Sequence, residues 1–295
     1  MAHPQPPETN AYPSAPVILP PDTAVASAPP EPPRPSKRSW AYAPATYILV
    51  GINCAVFLLM ILRGVSLMSP TGDQLLHWGA TYPAAILYDG QWWRIVTAMF
   101  VHVGVIHLAT NMWCLWNLGL LGEPLLGPLG LVAAYILSGA AGNLLSVGVN
   151  VYQHRDNIAA VGVGAGASGA VFGIAGVLII LLKSPRLTAR VPEGELKALR
   201  RNVIYFAVIN FVIGFGSSFG SNFMHLGVNI DNMAHLGGLL GGIIFALPLI
   251  PRPGSQRSEF LFRRRLAIGL LTCVLVFFGV YLSAVFPTPP LPMQQ

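Results

Sequence analysis

The feature that most constrains this chain is a series of seven apolar stretches between residues 45 and 286. Their predicted bounds are 45–67, 98–120, 128–148, 164–183, 203–219, 231–250 and 266–286. Each comes close to the roughly 20 residues that an α-helix needs to cross the core of a bilayer. Charged residues are only 9% of the chain, against about 25% in soluble domains. So few charges could not cover a soluble protein, and the sequence predicts an all-α polytopic membrane protein.

The first 44 residues differ in composition from the rest, because half of the 26 prolines lie there and no apolar periodicity is visible. We predict a disordered, Pro-rich cytoplasmic tail over residues 1–44. A six-span core is predicted over 45–250, and a basic loop, a seventh span and a short outer tail over 251–295. The tail lacks the features of a signal peptide and the early arginines of a mitochondrial transit peptide, which favours a bacterial cytoplasmic membrane.

The basic residues are distributed unevenly between the two sides that seven spans define. Fourteen of the 17 lysines and arginines fall on one side, and Arg63, Arg94 and Arg155 fall on the other. The positive-inside rule then predicts a cytoplasmic N-terminus and an outer C-terminus. The net charge of +6 is therefore interpreted as an orientation signal. No nucleic-acid partner is expected, because the basic residues are spread over juxtamembrane loops without interleaved aromatic residues.

Two polar residues inside predicted spans, Ser168 and His235, suggest chemistry, since such residues are functional hypotheses by default. Ser168 lies a few residues into the fourth span and His235 about one turn into the sixth. With the predicted orientation both spans enter from the outer face, and both residues lie within roughly 10 Å of their helix starts. A serine hydroxyl becomes a nucleophile when a base takes its proton, and His235 is the candidate base.

Each of these spans also carries a stripe of glycines. The fourth has Gly169, Gly173 and Gly176, and the sixth has Gly238 and Gly242. Helices with such stripes can bring their backbones unusually close, as a short serine side chain needs in order to reach an imidazole. Plain helix packing is the alternative for a single stripe. Two stripes that each carry half of a nucleophile–base pair favour the catalytic interpretation.

Further polar residues could stabilise an oxyanion formed during acyl transfer. His107 and Asn111 are four residues apart and share one helix face, so they are candidate donors together with the Ser168 amide. Ordinary interhelical hydrogen bonds are their alternative role. His102 lies about 140° around a helix from His107, so the two do not form an i,i+4 metal pair. No cofactor or metal ion is expected.

Two more residues have roles that the sequence leaves open. Asp231 precedes His235 by four residues and could orient it as a third catalytic member, although a dyad is the simpler interpretation. Phe172 follows Ser168 by four residues and could stack on the imidazole, or it could merely fill the core.

The sequence resembles the rhomboid family of intramembrane serine proteases from about Gly90 to Gly242. The resemblance lies in four motifs: Gly90-Gln-Trp-Trp-Arg94, His102-x4-His107-x3-Asn111, Gly166-Ala-Ser168-Gly169 and Ala234-His235-x2-Gly238-x3-Gly242. The serine and second histidine motifs together are very specific, whereas each alone would be weak.

The resemblance implies a six-helix core with one added C-terminal helix and an outward-opening, water-filled active site. The implied roles are nucleophile for Ser168, general base for His235, oxyanion donors for His107 and Asn111, stacking partner for Phe172, and support for His102, Gly166, Gly238 and Gly242. The implied partners are single-span transmembrane substrates and the lipid bilayer. Trp93 and Arg94 would lie in a loop half-immersed in the membrane.

Two other functions compete with proteolysis. A non-catalytic chaperone or adaptor on the same scaffold is the first, but inactive relatives typically lack the serine or the histidine that this chain retains. A transporter is the second. It is disfavoured because no internal repeat is found and because the polar residues identified within the spans cluster in the outer portion.

Overall fold

The computed structural model describes residues 43–183, 192–220, 231–250 and 256–286, with the backbone alone for 215–220. The predicted disordered tail, 1–44, lies outside the described residues up to residue 42. The described part contains ten α-helices and, between some of them, short 3-10 segments and turns. They are α1 Pro44–Leu62, α2 Gly72–His77, α3 Pro83–Leu87, α4 Arg94–Thr97, α5 Val105–Leu126, α6 Pro128–Gln153, α7 Ser168–Leu181, α8 Glu193–Gly220, α9 Asn232–Ala246 and α10 Arg257–Val285. The predicted all-α class is confirmed.

Several of these helices are long and apolar enough to cross a membrane. Among the described residues, α1, α6, α10 and α9 with its 3-10 extension to Leu249 qualify, which gives four. A fifth is counted if Arg94–Phe100 and α5 form one span bent by 94°. Helix α7 is apolar but has only 14 residues. The structure therefore supports a polytopic membrane protein, and the count of seven spans stays a prediction.

The second predicted span, 98–120, is interrupted near its start. Residues Ala98–Phe100 form a 3-10 turn, the helical conformation is then interrupted over residues 101–104, and α5 begins only at Val105. Gly104 has φ +124°, a conformation that residues with a Cβ rarely adopt, and Val105 donates its amide to the Leu67 carbonyl at 2.9 Å. His102 therefore lies in the break and not on a helix. The helical-wheel argument does not apply to it, and its ring centroid is 5.4 Å from that of His107.

Helices α8 and α10 also begin earlier than the predicted spans 203–219 and 266–286. Helix α8 starts at Glu193 and α10 at Arg257. Their first turns are polar, so an apolar pattern could not detect them, and ion pairs four residues apart support both. One joins Lys197 to Glu193 at 2.8 Å, and the other joins Arg263 to Glu259.

Helices α6, α7 and α9 form the centre of the protein. Helix α9 packs most extensively against α7 and α6, and eleven of the 14 residues of α7 are buried. On α6, Ser138 lies directly against Gly173 of α7, and Ala141 contacts the glycine face of α9. The run of small residues at 138–142 in α6 was not recognised from the sequence as part of this core.

A buried carboxylate joins α1 to α5 at the end of α5 away from His107. Glu123 accepts hydrogen bonds from the amides of Ala45 at 2.9 Å and Thr46 at 2.8 Å, and from the Thr46 hydroxyl at 2.7 Å. It thereby satisfies amides that the first turn of α1 leaves without partners. Because Glu123 lies beyond the predicted end of its span, it was missed. The argument that polar residues cluster at one end was therefore incomplete.

The connection between α1 and α5 is held together by Arg94. Its guanidinium donates to the Gln91 side chain at 2.6 Å and to the carbonyls of Leu76 and Ala80 at 2.6 and 3.1 Å. It also lies 4.5 Å from the centre of the Trp93 ring. These bonds give α2 and α4 a fixed arrangement beside the start of α5. The half-immersed position of Trp93 and Arg94 stays a prediction.

Candidate active site

The structure places Ser168 and His235 at the starts of two packed helices. Ser168 is the first residue of α7 and is partly exposed, whereas His235 is the fourth residue of α9 and is only 6% exposed. The amide of Ser168 belongs to the first turn of α7, where amides have no partner within the helix.

The glycine stripes of α7 and α9 face each other, as predicted. A Cβ on Gly238 would overlap the carbonyl of Gly169, and one on Gly242 would overlap the carbonyl of Gly173. A Cβ on Gly169 would lie 3.2 Å from the carbonyl oxygen of Ala234. The two backbones are therefore in direct contact next to both Ser168 and His235.

The ring of Phe172 holds the imidazole of His235. The two rings are stacked, with centroids 4.3 Å apart and planes 14° from parallel. Since Phe172 lies one turn after Ser168 on α7, the stack keeps the imidazole over the helix face that carries Ser168. Phe211 of α8 approaches the imidazole edge-on, at 6.1 Å and 81°. Phe211 was missed, because nothing distinguishes it from other apolar residues of its helix.

The carboxylate of Asp231 is bonded to groups other than the His235 ring. One oxygen accepts from the Ala234 amide at 2.9 Å, and the other accepts from the Ser146 hydroxyl. The Nδ1 atom of His235 is buried and has no hydrogen-bond partner among the described residues. Within the described residues, the Asp231 carboxylate therefore does not bond the imidazole.

The segment before Ser168 is fixed by bonds to the connection between α1 and α5. Thr81 and Gly164 exchange two backbone hydrogen bonds, of 2.8 and 2.9 Å, and the Gly166 amide donates to the Ala98 carbonyl at 2.9 Å. The Ala167 amide points at Nε2 of His102 at 3.5 Å. His102 is fully buried, so it supports the turn that leads into Ser168.

His107 lies against this turn because residue 166 is glycine. A Cβ at Gly166 would lie 2.6 Å from Cε1 and 3.0 Å from Nε2 of the ring, and its φ is +138°. The Val103 amide donates to Nδ1 of His107 at 3.4 Å. A neutral ring that accepts at Nδ1 carries its proton on Nε2, the atom on the side of Gly166.

Asn111 lies one turn further along α5 and is 6% exposed. Its amide nitrogen donates to the His107 carbonyl at 2.9 Å, which takes one of its two N–H groups. The structure thus brings Ser168, His235 and His107 to one end of the helical core, with Asn111 on the helix that carries His107. In the described part of the chain, no three His, Cys, Asp or Glu side chains come together as metal ligands.

The apolar helices define an integral membrane protein, and Ser168, His235 and His107 lie together at one end of its helical core. A family model described as the rhomboid domain matches residues 89–252, more than half of the chain. This protein belongs to the rhomboid family.

Several curated proteins are similar to the chain. It is 30% identical to rhomboid protease GluP of Bacillus subtilis over 217 residues, which are 73% of this chain and 37% of GluP. It is 27% identical to rhomboid protease AarA of Providencia stuartii over 240 residues, 79% of this chain and 82% of AarA. RHOMBOID-like protein 6, mitochondrial, of Arabidopsis thaliana is 30% identical over 200 residues, 68% of this chain and 57% of that protein. The chain therefore spans most of AarA but well under half of GluP.

Proposed function

We propose that this protein is a serine endopeptidase that cleaves transmembrane segments of membrane proteins within the bilayer. Ser168 is the nucleophile and His235 the general base of a catalytic dyad. The observation that carries the proposal is the stack of His235 on Phe172, one turn from Ser168, across a glycine interface that brings the two backbones into contact. Membership of a family in which GluP and AarA are named rhomboid proteases supports the same reaction class.

In the proposed reaction His235 takes the proton from the Ser168 hydroxyl as its oxygen attacks the scissile carbonyl carbon. The oxyanion meets the Ser168 amide, Nε2–H of His107 and an N–H group of Asn111. The imidazolium then protonates the leaving amine, which releases one peptide and leaves an acyl-enzyme. In the second half, His235 takes a proton from water, the hydroxide attacks the ester, and the proton returns to Ser168.

The surroundings of the dyad fit this chemistry. His235 is fixed by aromatic contacts on two sides, so its ring has little freedom to turn away from the nucleophile. The Val103 amide donates to Nδ1 of His107 at 3.4 Å, which leaves Nε2 as the donor of the neutral ring. Donors that are already in place need no reorganisation when negative charge develops, which is the main source of electrostatic stabilisation in such sites.

The proposed enzyme has a six-span core and a seventh span, with its N-terminus in the cytoplasm of a bacterium and its C-terminus outside. The excess of basic residues on one side of the predicted membrane supports this orientation. The proposed substrates are single-span membrane proteins, as membership of the rhomboid family implies. The proposed domain limits are 1–44 for the tail, 45–250 for the core and 251–295 for the C-terminal part.

The proposal is tested with a single-span reporter protein reconstituted with the purified protein in liposomes. We expect cleavage by the wild type and a loss of several orders of magnitude for Ser168→Ala. Ser69→Ala, in the exposed loop after α1, is the control and should cleave normally. A fluorophosphonate probe should label the wild type and not Ser168→Ala. Cleavage by Ser168→Ala at the wild-type rate, or absence of labelling in folded wild type, would favour a non-catalytic chaperone or adaptor.

A further inference from the structure

The base of the proposed dyad is not oriented by a hydrogen bond to its ring within the described residues. Its Nδ1 atom is buried and has no partner in the described part of the chain, and its ring stacks on Phe172 and meets the edge of Phe211. Besides these aromatic contacts, the position of the imidazole depends on where the backbone of α9 begins and how the helix is rotated about its axis. His235 lies in the first turn of α9, so whatever fixes that turn also fixes the base.

Asp231 fixes the first turn of α9 by one bond to the backbone of that helix and one bond to a neighbouring helix. As its N-cap residue, it accepts a hydrogen bond from the Ala234 amide at 2.9 Å. Its second carboxylate oxygen accepts from the hydroxyl of Ser146, which lies on α6. One side chain thus caps the helix that carries the base and ties it to a neighbouring helix.

The Ser146 hydroxyl is itself oriented by α6. The side-chain amide of Asn150 donates to the Ser146 carbonyl at 2.9 Å and to the Ser146 hydroxyl at 3.2 Å. The Ser146 hydroxyl oxygen accepts a hydrogen bond from Asn150, so its O–H group is free to donate a hydrogen bond to the Asp231 carboxylate. The bonds run in one direction from Asn150 through Ser146 to Asp231.

The same two helices touch through their backbones directly below these bonds. A Cβ on Gly142 of α6 would overlap the Ala234 carbonyl, and one on Gly237 would lie 2.7 Å from the Ala141 carbonyl oxygen. A surface without side chains brings the helices close but offers few projections to prevent sliding or rotation. The bond between Ser146 and Asp231 supplies a directional contact at this end of the interface.

We propose that Asp231 and Ser146 form a positioning pair for the catalytic base. They act through the backbone of α9 and do not touch substrate or the imidazole ring. The inference rests on the proposed proteolytic function, because it concerns the residue assigned there as the base. It differs from a catalytic triad, in which the carboxylate would bond the imidazole.

Substitutions at Asp231 separate these possibilities. Asn is as good an N-cap as Asp, and its amide can donate to the Ser146 hydroxyl oxygen, so Asp231→Asn should keep kcat within about threefold. Asp231→Ala removes both bonds, and we expect a kcat about 10- to 100-fold lower, because small displacements of a catalytic group have effects of this size. KM should stay within about twofold, since the pair does not contact substrate. Asp156→Ala, an exposed residue of the turn after α6, is the matched control.

Ser146→Ala tests the contact between helices separately from the cap. It leaves the bond from Asp231 to the Ala234 amide in place, so its kcat should lie between those of the wild type and Asp231→Ala. The double variant Asp231→Ala/Ser146→Ala should be no slower than Asp231→Ala alone, because both changes remove the same interhelical bond. Multiplying effects in the double variant would contradict a pair that acts as one unit.

The measurements are reporter cleavage, fluorophosphonate labelling and thermal unfolding of the full chain in the same detergent. Wild type that neither cleaves nor labels would overturn the proposed function. Active wild type with Asp231→Ala equally active would overturn the positioning pair alone. The pair is also overturned if kcat of Asp231→Asn falls as far as that of Asp231→Ala. Such a result would mean that the negative charge of Asp231 is needed and not its hydrogen bonds alone. A loss that merely follows the unfolded fraction overturns it as well.

Discussion

Helices α7 and α10 are both strongly apolar, yet they relate to the rest of the protein in opposite ways. Eleven of the 14 residues of α7 are buried. In α10, which has 29 residues, the buried ones are Ala267, Leu271, Gly279 and Leu282. Large apolar side chains of α10 are exposed, and Phe277 is 74% exposed. This suits a helix that faces lipid. Hydropathy alone does not separate these two environments.

The space around individual glycines differs between the centre and the exposed face of α10. The glycines of α7 lie against the backbones of α9 and α6, so a methyl group has no room there. Gly269 of α10 has no heavy atom within 4 Å of an added Cβ. In a bilayer, where lipid is as apolar as leucine, helices associate through close packing and hydrogen bonds. The candidate active site therefore lies where glycines bring helix backbones together. The exposed apolar side chains of α10 lie at the periphery.

This contrast is tested by placing the same side chain at a central glycine and at a peripheral glycine. Gly238→Val puts three carbon atoms into space occupied by the Gly169 backbone, so the helices must separate. We expect reporter cleavage to fall below detection and the thermal unfolding midpoint in detergent to drop. Gly269→Val is the matched control, and both its activity and its midpoint should match the wild type.

Cleavage by Gly238→Val at a rate near that of the wild type would mean that α7 and α9 can separate without disturbing Ser168 and His235. The glycine interface would then be packing without a catalytic consequence. A similar loss in Gly269→Val would instead place α10 in an interface that the described contacts do not contain.

The asparagines of α5 offer a second contrast, between a side chain directed towards the core and one directed away from it. Asn111 is buried and Asn117 is exposed, while each bonds the carbonyl four residues before it, at 2.9 and 2.7 Å. Asn111→Ala should lower kcat on the order of 10²-fold, the usual effect of losing an oxyanion donor. Asn117→Ala should stay within about twofold. Equal rates for the two variants would remove Asn111 from the site.

The glycine stripes, Ser168 and His235 could be identified from the sequence because each has a signal in the order of residues. The contribution of α6 could not, because a run of small residues does not indicate which helix it will face. The early start of α8 had no apolar signal, since its first turns are polar and carry the exposed ion pair of Lys197 and Glu193. The break at His102 depends on the conformation of Gly104 and on its contact with a distant carbonyl.

A smaller effect is expected from the aromatic stack. Phe172→Leu keeps an apolar side chain but loses the ring that lies parallel to His235. Stacked pairs contribute about 0.5–1.5 kcal/mol beyond burial, so kcat should fall about 3- to 10-fold with KM unchanged. Phe278→Leu in α10, whose ring stacks on Tyr281, is the control and should leave kcat unchanged. A Phe172→Leu variant with full activity would show that the glycine contacts alone hold the base.

Residues that position others were the hardest to predict. Asp231 was identified only by its spacing from His235, which suggested a contact with the ring. Its bonds to Ala234 and Ser146 depend on the helix start and on a partner 85 residues away. Local spacing can place two groups on one helix face, but it cannot choose between the backbone of that helix and a side chain from another.

The smallest expected effect concerns the junction between α10 and the core. Arg264 donates to the Leu126 carbonyl at 2.9 Å, and an added Cβ on Gly130 would lie 3.1 Å from its Cδ. Arg264→Ala should lower stability by about 1 kcal/mol, the usual net contribution of one such bond, and leave cleavage within twofold. Arg265→Ala, on the exposed face of the same turn, should change neither. If Arg264→Ala reduced kcat while its unfolding midpoint stayed at the wild-type value, the peripheral helix would influence the site through the turn between α5 and α6. The distinction between central helices that carry the site and a peripheral α10 that does not affect it would then be wrong.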